Sequence, residues 1–233
     1  MKKGMETKNS QKREETELEQ AIIGKVKDYV KNKCQKDATG HDWWHIQRVY
    51  HNAMLINKKE HANPFIITMI ALMHDLYDHK FYKGDPIKAL ENTLQELEVY
   101  PCITEEDRNN ILYSCVNLGF SSNLIEKKEL SLEGKIVQDA DRLDGLGAIG
   151  IARTFAYGGK QGHLIYDPDN NQTVTAEEYA QKGSRTSISH FYDKCLKLKD
   201  KMNTDTAKEI AKERHKYLEN FLEEFFEEWN GKK

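Results

Sequence analysis

Helix boundaries are the feature of this sequence that most constrains its fold. Asn63 and Asp85 each stand directly before a proline, which is typical of a helix N-cap followed by the first helical residue. Thr104 begins a segment that closes on Gly119, and "TAEE" at 175–178 has the form of a capping box. These boundaries divide the chain into consecutive helical segments.

The same pattern leaves little chain for any other structure. β-Branched alternation is missing, and four prolines with short polar linkers suit packed helices, so we expect no strand. The prediction is an all-α fold with one compact multi-helix domain over 15–233 and a solvated tail at 1–14. Residues 158–174 are predicted as a long irregular loop, either a lid or binding loop or a disordered insertion. The predicted helices cover 16–34, 41–60, 64–79, 86–99, 105–118, 132–157, 176–200 with a break near Gly183, and 205–229.

Length and composition favour one globular protein in the cytoplasm. A chain of 233 residues that is 38% hydrophobic can bury one substantial core. The longest apolar run, "PFIITMIALM" at 64–73, is about half of what a membrane-spanning helix needs, so no membrane association is expected. The N-terminus lacks the apolar stretch of a secretory signal. Four cysteines without CxxC spacing predict reduced thiols.

Charge argues against a nucleic-acid polymer as the main partner. The chain carries 35 basic and 38 acidic residues, well mixed, for a net charge of −3. This balance provides no general basic field for a polyanion backbone. Local basic residues in a pocket remain compatible with a small anionic substrate.

Ionisable residues stand at the end of one apolar helix and inside another predicted helix. His74 and Asp75 follow the apolar run, and His45 lies among tryptophans and aliphatic residues in "GHDWWHIQRVYHNAMLI". A buried ionisable pair is costly unless its charge is compensated. A salt bridge, a hydrogen-bond network or a metal ion could compensate it, and a lone histidine such as His45 is usually structural.

A third helix contains aspartates within a stretch of small and apolar residues. Asp139 and Asp141 lie about 200° apart around a helix, so both cannot face the same ion, whereas Asp141 and Asp144 share a face. Two imidazoles and two carboxylates from three helices would form a mixed nitrogen and oxygen site. Such a site suits Mn²⁺, Fe²⁺, Mg²⁺, Co²⁺ or Zn²⁺.

Four segments together carry a family resemblance. They are "HDWWHIQRV" at 41–49, "ALMHDLYDHKF" at 71–81, "KIVQDADRLDGLGAIGIAR" at 135–153 and "SISHFYDKCLKLKDKMNTDTAKEIAKER" at 187–214. In this order they resemble the HD-domain metal-dependent phosphohydrolases, and in particular the small bacterial YpgQ-like branch, over about 20–229. The resemblance implies an all-α HD-type domain.

The resemblance also implies which residues hold the metal. The positions that match the family's ligands are His45, His74, Asp75 and Asp141. One divalent ion per chain is expected, with Mn²⁺ favoured, and Asp75 is also placed to orient the attacking water. Asp139 is then a bystander that caps a helix or pairs with a neighbouring arginine.

Further residues around these ligands are assigned roles by proximity. Asp78 and Asp144, each one turn beyond a ligand, are expected to orient imidazoles or water and are grouped with Asp75 as catalytic. His190 belongs to the family-like pattern without an assigned role. Cations are expected to take up the phosphate charge of the substrate. The candidates are Arg48, Lys80, Arg142 and Arg153.

The implied reaction is hydrolysis of nucleoside or deoxynucleoside triphosphates, with release of pyrophosphate and the monophosphate. A nucleotide monophosphatase, or an alarmone or cyclic-nucleotide phosphodiesterase, would use the same ligands. An alternative of another class is a non-catalytic, metal-dependent nucleotide sensor. The expected partner is a small phosphorylated nucleotide, and the protein is expected to be a monomer or homodimer.

Overall fold

The chain folds as a succession of helices, as the sequence predicts. The computed structural model describes residues 2–34, 42–77, 82–120, 123, 128–170 and 172–233, and no β-strand occurs among them. Short 3₁₀ helices lie at Tyr100–Cys102, Pro168–Asn170, Cys195–Lys197 and Lys199–Lys201. The α-helices are α1 (Lys2–Cys34), α2 (Trp43–Glu60), α3 (Pro64–Met73), α4 (Pro86–Glu96), α5 (Glu105–Asn117), α6 (Leu132–Asp144), α7 (Gly147–Gln161), α8 (Ala176–Lys182), α9 (Ser187–Asp193) and α10 (Asp205–Trp229).

Helix α3 lies at the centre of the core. Nine of its ten residues are buried, as expected for a helix that is apolar on every face. It begins as predicted, because the Asn63 side chain accepts the backbone N–H groups of Phe65 and Ile66. Helices α2 and α6 pack on α3 and on each other, α1 and α5 cover its other sides, and α10 packs across α6 and α7.

Several predicted boundaries need correction. Helix α1 begins at Lys2 rather than at 16, so the backbone is helical over residues 2–14 as well. Helix α3 ends at Met73 rather than at 79. The segment predicted at 176–200 consists of α8, α9 and two short 3₁₀ helices, and α7 continues to Gln161, which shortens the predicted loop at its start. The domain boundary at 15 remains a prediction.

The helix predicted over 132–157 is two helices, α6 and α7, joined by a tight turn. Gly145 caps α6 with its N–H directed at the carbonyls of Arg142 and Leu143. Gly147 has a φ of 66°, in the left-handed region that glycine adopts most easily. Because of this turn, Asp144 and Arg153, on different helices, come within contact of each other.

No helix within the described ranges combines the length and apolar composition that crossing a bilayer requires.

The turn between α6 and α7 depends on a close approach at Gly150. A Cβ atom there would lie 2.4 Å from the carbonyl carbon and oxygen of Gly145. We therefore expect Gly150→Ala to lower the free energy of unfolding by about 1–3 kcal/mol, because the backbone must shift to admit the methyl group. Chemical denaturation measures this loss.

Gly159→Ala is the matched control, on the same helix. A Cβ at Gly159 meets no atom within 4 Å, so the substitution should be neutral or raise the free energy of unfolding by up to about 1 kcal/mol. Equal effects of the two substitutions would contradict the close approach at Gly150.

Candidate metal centre

His45 lies in the first turn of α2, and Asp42 is the N-cap residue of this helix. The Asp42 side chain accepts the His45 backbone N–H at 2.9 Å, and the imidazole is fully buried. Its Nδ1 lies 2.7 Å from Oδ2 of Asp144. An ionised carboxylate only accepts, so Nδ1 carries the proton and Nε2 presents its lone pair to the opposite side.

His74 follows the last residue of α3 and presents its imidazole in the same way. Its Nδ1 lies 2.8 Å from the carbonyl oxygen of Ala71, so Nδ1 donates and Nε2 is left as an acceptor. The Nε2 atoms of His74 and His45 are 3.4 Å apart. The buried end of the apolar helix α3 thus brings a second imidazole to the first.

Two carboxylates meet the pair of imidazoles. Oδ2 of Asp75 lies 3.3 Å from Nε2 of His45 and 3.6 Å from Nε2 of His74. Oδ1 of Asp141 lies 3.5 Å from Nε2 of His45. One ligand atom each from His45, His74 and Asp141 can be chosen within 4.8 Å of one another.

This donor set fits a divalent cation. With both Nδ1 atoms donating elsewhere, two imidazole lone pairs and two carboxylate oxygens converge, and such a group is stabilised by a positive charge among them. Burial and the charge of Arg153 lower the pKa of His45, but the hydrogen bond with Asp144 and the negative charge of Asp75 raise it above its ordinary value. The site therefore favours a cation, and the residues that would hold it are His45, His74, Asp75 and Asp141.

Asp144 lies beneath this cluster and is only 1% exposed. Besides His45, it accepts two hydrogen bonds from Arg48, at 2.7 and 3.0 Å, and one from Arg153 at 2.9 Å. Burial alone would raise its pKa, but its hydrogen bonds with His45 and Arg48 and the charge of Arg153 hold the pKa well below the ordinary value. Asp144 therefore holds the imidazole of His45 at Nδ1, and its part in catalysis remains a prediction.

Asp139 faces away from the candidate ligands His45 and His74, as the helical geometry predicts. Its carboxylate accepts the backbone N–H of Asn203 and both the backbone N–H and the hydroxyl of Thr204, all at 2.8–3.1 Å. Burial raises the pKa of Asp139 in spite of these bonds. Thr204 is the N-cap of α10, so Asp139 attaches the start of that helix to α6.

Arg142 lies on the Asp139 side of α6. It donates to the backbone carbonyl of Lys201 and lies 3.9 Å from Asp139, with 8% of its surface exposed. Its contact with substrate remains a prediction.

The other predicted residues fall in three places. Arg48 and Arg153 adjoin the centre through Asp144, and their contact with substrate remains a prediction. Asp78 and Lys80 lie outside the described residues. His190 lines a separate cavity that Arg153 also lines.

Sequence reasoning missed two residues that support the ligand helix α6. Arg214 donates to the carbonyl of Leu143 at 2.7 Å and to the side chain of Asn52 at 3.0 Å. Asn52 also donates to the carbonyl of Ala140 at 3.4 Å. Arg214 lies in a helix rich in lysine and glutamate, so its charge pattern does not distinguish it from solvated neighbours.

Comparisons with known proteins identify the family. No protein-family model matches the chain. The YpgQ protein of Bacillus subtilis strain 168 is 36% identical over 196 residues, which cover 84% of this chain and 86% of YpgQ. This chain belongs to the YpgQ family. An HD-superfamily hydrolase of Bacillus thuringiensis is 44% identical, with a TM-score of 0.69 over 91% of this chain and 98% of that one.

Two more solved structures extend the family comparison. A Lactobacillus plantarum protein is 37% identical, with a TM-score of 0.78 over 90% of this chain and 97% of that one. Bacillus subtilis YpgQ in complex with ADP is 33% identical, with a TM-score of 0.70 over 90% and 96%. With these relatives and its histidine and aspartate cluster, the chain is a metal-dependent phosphohydrolase of the HD superfamily.

Asp141 and Asp139 are two residues apart but should respond differently to the same substitution. We expect Asp141→Asn to weaken Mn²⁺ binding about tenfold or more, because it removes an anionic ligand. Asp139→Asn should retain the metal but lower the free energy of unfolding by about 1–3 kcal/mol, since its amide would face backbone donors. Calorimetric Mn²⁺ titration and chemical denaturation separate the two effects. Loss of metal in Asp139→Asn alone would reverse the assignment.

Proposed function

We propose that this protein hydrolyses nucleoside or deoxynucleoside triphosphates to the monophosphate and pyrophosphate, using one divalent metal ion held by His45, His74, Asp75 and Asp141. The observation that carries the proposal is the convergence of two imidazole Nε2 atoms and two carboxylates, with the Nε2 atoms 3.4 Å apart. We take Mn²⁺ as the ion, one of those that a nitrogen and oxygen site suits; Mg²⁺, Fe²⁺, Co²⁺ and Zn²⁺ are the alternatives.

The bound ion would supply Lewis acidity, which makes water a stronger acid and withdraws charge from phosphoryl oxygens. The protein supplies orientation. His45 and His74 are held by hydrogen bonds at Nδ1, which leave Nε2 directed into the centre. Asp75, within 3.6 Å of both Nε2 atoms, can accept a proton from the attacking water as well as contribute a ligand oxygen.

The proposed reaction is attack of water on the α-phosphorus. The water oxygen forms a bond to this phosphorus, and the bond from the α-phosphorus to the bridging oxygen of the β-phosphate breaks. Pyrophosphate leaves with that bridging oxygen and its electron pair, and the proton of water passes to a base. Arg48 and Arg153 together carry one more positive charge than the Asp144 carboxylate they share, and this excess favours a polyphosphate nearby.

A nucleotide ligand is supported by a relative. Bacillus subtilis YpgQ has been solved in complex with ADP. The nucleotide monophosphatase, the alarmone or cyclic-nucleotide phosphodiesterase and the non-catalytic sensor make different predictions for products, and one experiment separates them.

A nucleotide panel with added Mn²⁺ tests the proposal. We expect triphosphates to yield pyrophosphate and monophosphate in equal amounts, with activity lost on chelation and restored by Mn²⁺. In ¹⁸O-labelled water, the label should appear in the monophosphate, because the α-phosphorus is attacked. Orthophosphate as the first product, or label in pyrophosphate, would contradict the proposed bond. Binding without turnover would favour the sensor.

Histidine substitutions provide the control for this assay. His74→Ala should abolish both Mn²⁺ binding and turnover while the helical circular dichroism remains. His51→Ala, at an exposed histidine on α2, should retain both. Global unfolding of His74→Ala at assay temperature would instead indicate a structural role for His74.

A further inference from the structure

Asp141 and Asp144 share a face of α6, but they are held in different ways. Asp144 accepts hydrogen bonds from two arginines and from His45. Within the ranges that the structure describes, no group donates a hydrogen bond to the carboxylate of Asp141, whose side chain is 31% exposed. Its Oδ1 lies 3.5 Å from Nε2 of His45, and that Nε2 is an acceptor in the tautomer set by Asp144. The backbone of α6 therefore determines where the Asp141 carboxylate lies.

Two carbonyl groups of α6, one on each side of Asp141 in the sequence, accept hydrogen bonds from other helices. Nδ2 of Asn52, on α2, donates to the carbonyl of Ala140 at 3.4 Å. Nη1 of Arg214, on α10, donates to the carbonyl of Leu143 at 2.7 Å. Carbonyl groups in the last turn of a helix lack intrahelical partners, which leaves that of Leu143 open to a side-chain donor. The last turn of α6 is therefore attached to α2 and α10 through its main chain.

Asn52 and Arg214 act as one unit. Nη2 of Arg214 donates to Oδ1 of Asn52 at 3.0 Å. This bond fixes the orientation of the amide, because Oδ1 can only accept and Nδ2 is then left to donate to Ala140. Asn52 also lies seven residues after His45, which is about two turns along the same face of α2. The pair thus extends the contact between α2 and α6 that begins at His45.

The aliphatic part of the Arg214 side chain packs on the turn between α6 and α7. A Cβ atom at Gly147 would lie 3.3 Å from both Cβ and Cγ of Arg214. Glycine at this position, with a φ of 66°, therefore lets the side chain from α10 lie close to the turn. Arg214 contacts the turn with its aliphatic part and α6 with its guanidinium group.

We propose that Arg214 is a positioning residue for the metal centre, which sets the position of the Asp141 carboxylate through Asn52 and the main chain of α6. The inference rests on the proposed function only in taking Asp141 as a metal ligand. Metal–ligand distances in protein sites hold to within about 0.2 Å. A small displacement of α6 that leaves the fold intact is therefore enough to remove Asp141 from its ligand position.

Titration of the full chain with Mn²⁺, in which electron paramagnetic resonance counts the free ion, tests the inference without turnover. We expect Arg214→Gln to weaken Mn²⁺ binding about tenfold, the loss typical of residues that orient a ligand. Arg214→Lys should restore part of this loss, because an ammonium group keeps a donor for one of the two acceptors. The control Lys216→Gln, at an exposed position on α10, removes the same charge and should leave Mn²⁺ binding unchanged.

A double-mutant cycle with Asp141→Asn separates positioning from a general loss of stability. If Arg214 acts through Asp141, then Arg214→Gln should weaken Mn²⁺ binding by less than about twofold in the Asp141→Asn background. An equal loss in both backgrounds would overturn the inference. Asp139→Asn is the stability control, since it should destabilise the fold and retain the metal. A loss of Mn²⁺ in Asp139→Asn as large as that in Arg214→Gln would mean that weaker folding explains both.

Asn52→Ala keeps the test decisive if Arg214→Gln does not fold. It removes the donor to Ala140 while Arg214 keeps the carbonyl of Leu143, so we expect a smaller loss of Mn²⁺ binding that also disappears in the Asp141→Asn background.

The same titrations distinguish failure of this inference from failure of the proposed function. If Asp141→Asn weakens Mn²⁺ binding but Arg214→Gln and Asn52→Ala do not, the positioning role is wrong while the proposed ligands stand. No Mn²⁺ binding by the unsubstituted protein would overturn both. A negative result with the nucleotide panel alone would overturn the proposed reaction and leave the positioning role intact, because that role is measured by Mn²⁺ binding.

Discussion

The buried carboxylate of Asp144 is the interaction on which the arrangement of the centre depends. It joins three helices, because it accepts from His45 and Arg48 on α2 and from Arg153 on α7 while lying at the end of α6. A buried charge of this kind is costly unless it is fully compensated, and here two guanidinium groups and an imidazole compensate it. The hydrogen bond from Nδ1 of His45 to Asp144 also sets the tautomer of His45. Asp144 therefore both joins the helices and prepares Nε2 of His45 as a ligand atom.

Capping chemistry made much of the fold predictable. Asn63, Asp85, Thr104 and Thr175 each accept backbone N–H groups at the starts of helices, as their local sequences indicate. The position of His74 at the end of an apolar run also predicts a histidine at the edge of the core, and the structure has it there. Short-range patterns of this kind depend only on neighbouring residues.

Other features depended on distant partners and could not be predicted. The partners of Asp144 lie at residues 45, 48 and 153, and Asp139 binds residues that follow it by more than 60 positions. The break between α6 and α7 at Gly145 was not predicted, because apolar residues continue on both sides of it. A single glycine inside a helical pattern does not by itself mark the end of a helix. The start of α1 was missed because lysine and glutamate form helices well despite their polarity.

The attachment of α10 to α6 has a consequence for how the protein is made. All four candidate ligands are synthesised before Asn203, Thr204 and Arg214, the residues that hold α6 in place. At roughly 5–20 residues per second, about 60 residues separate Asp141 from Thr204 by some 3–12 seconds. During that interval the nascent chain has its histidines and aspartates but lacks the contacts from α10 that orient α6, the helix that carries Asp141. We therefore expect selective metal binding only after α10 has been synthesised and has packed on α6.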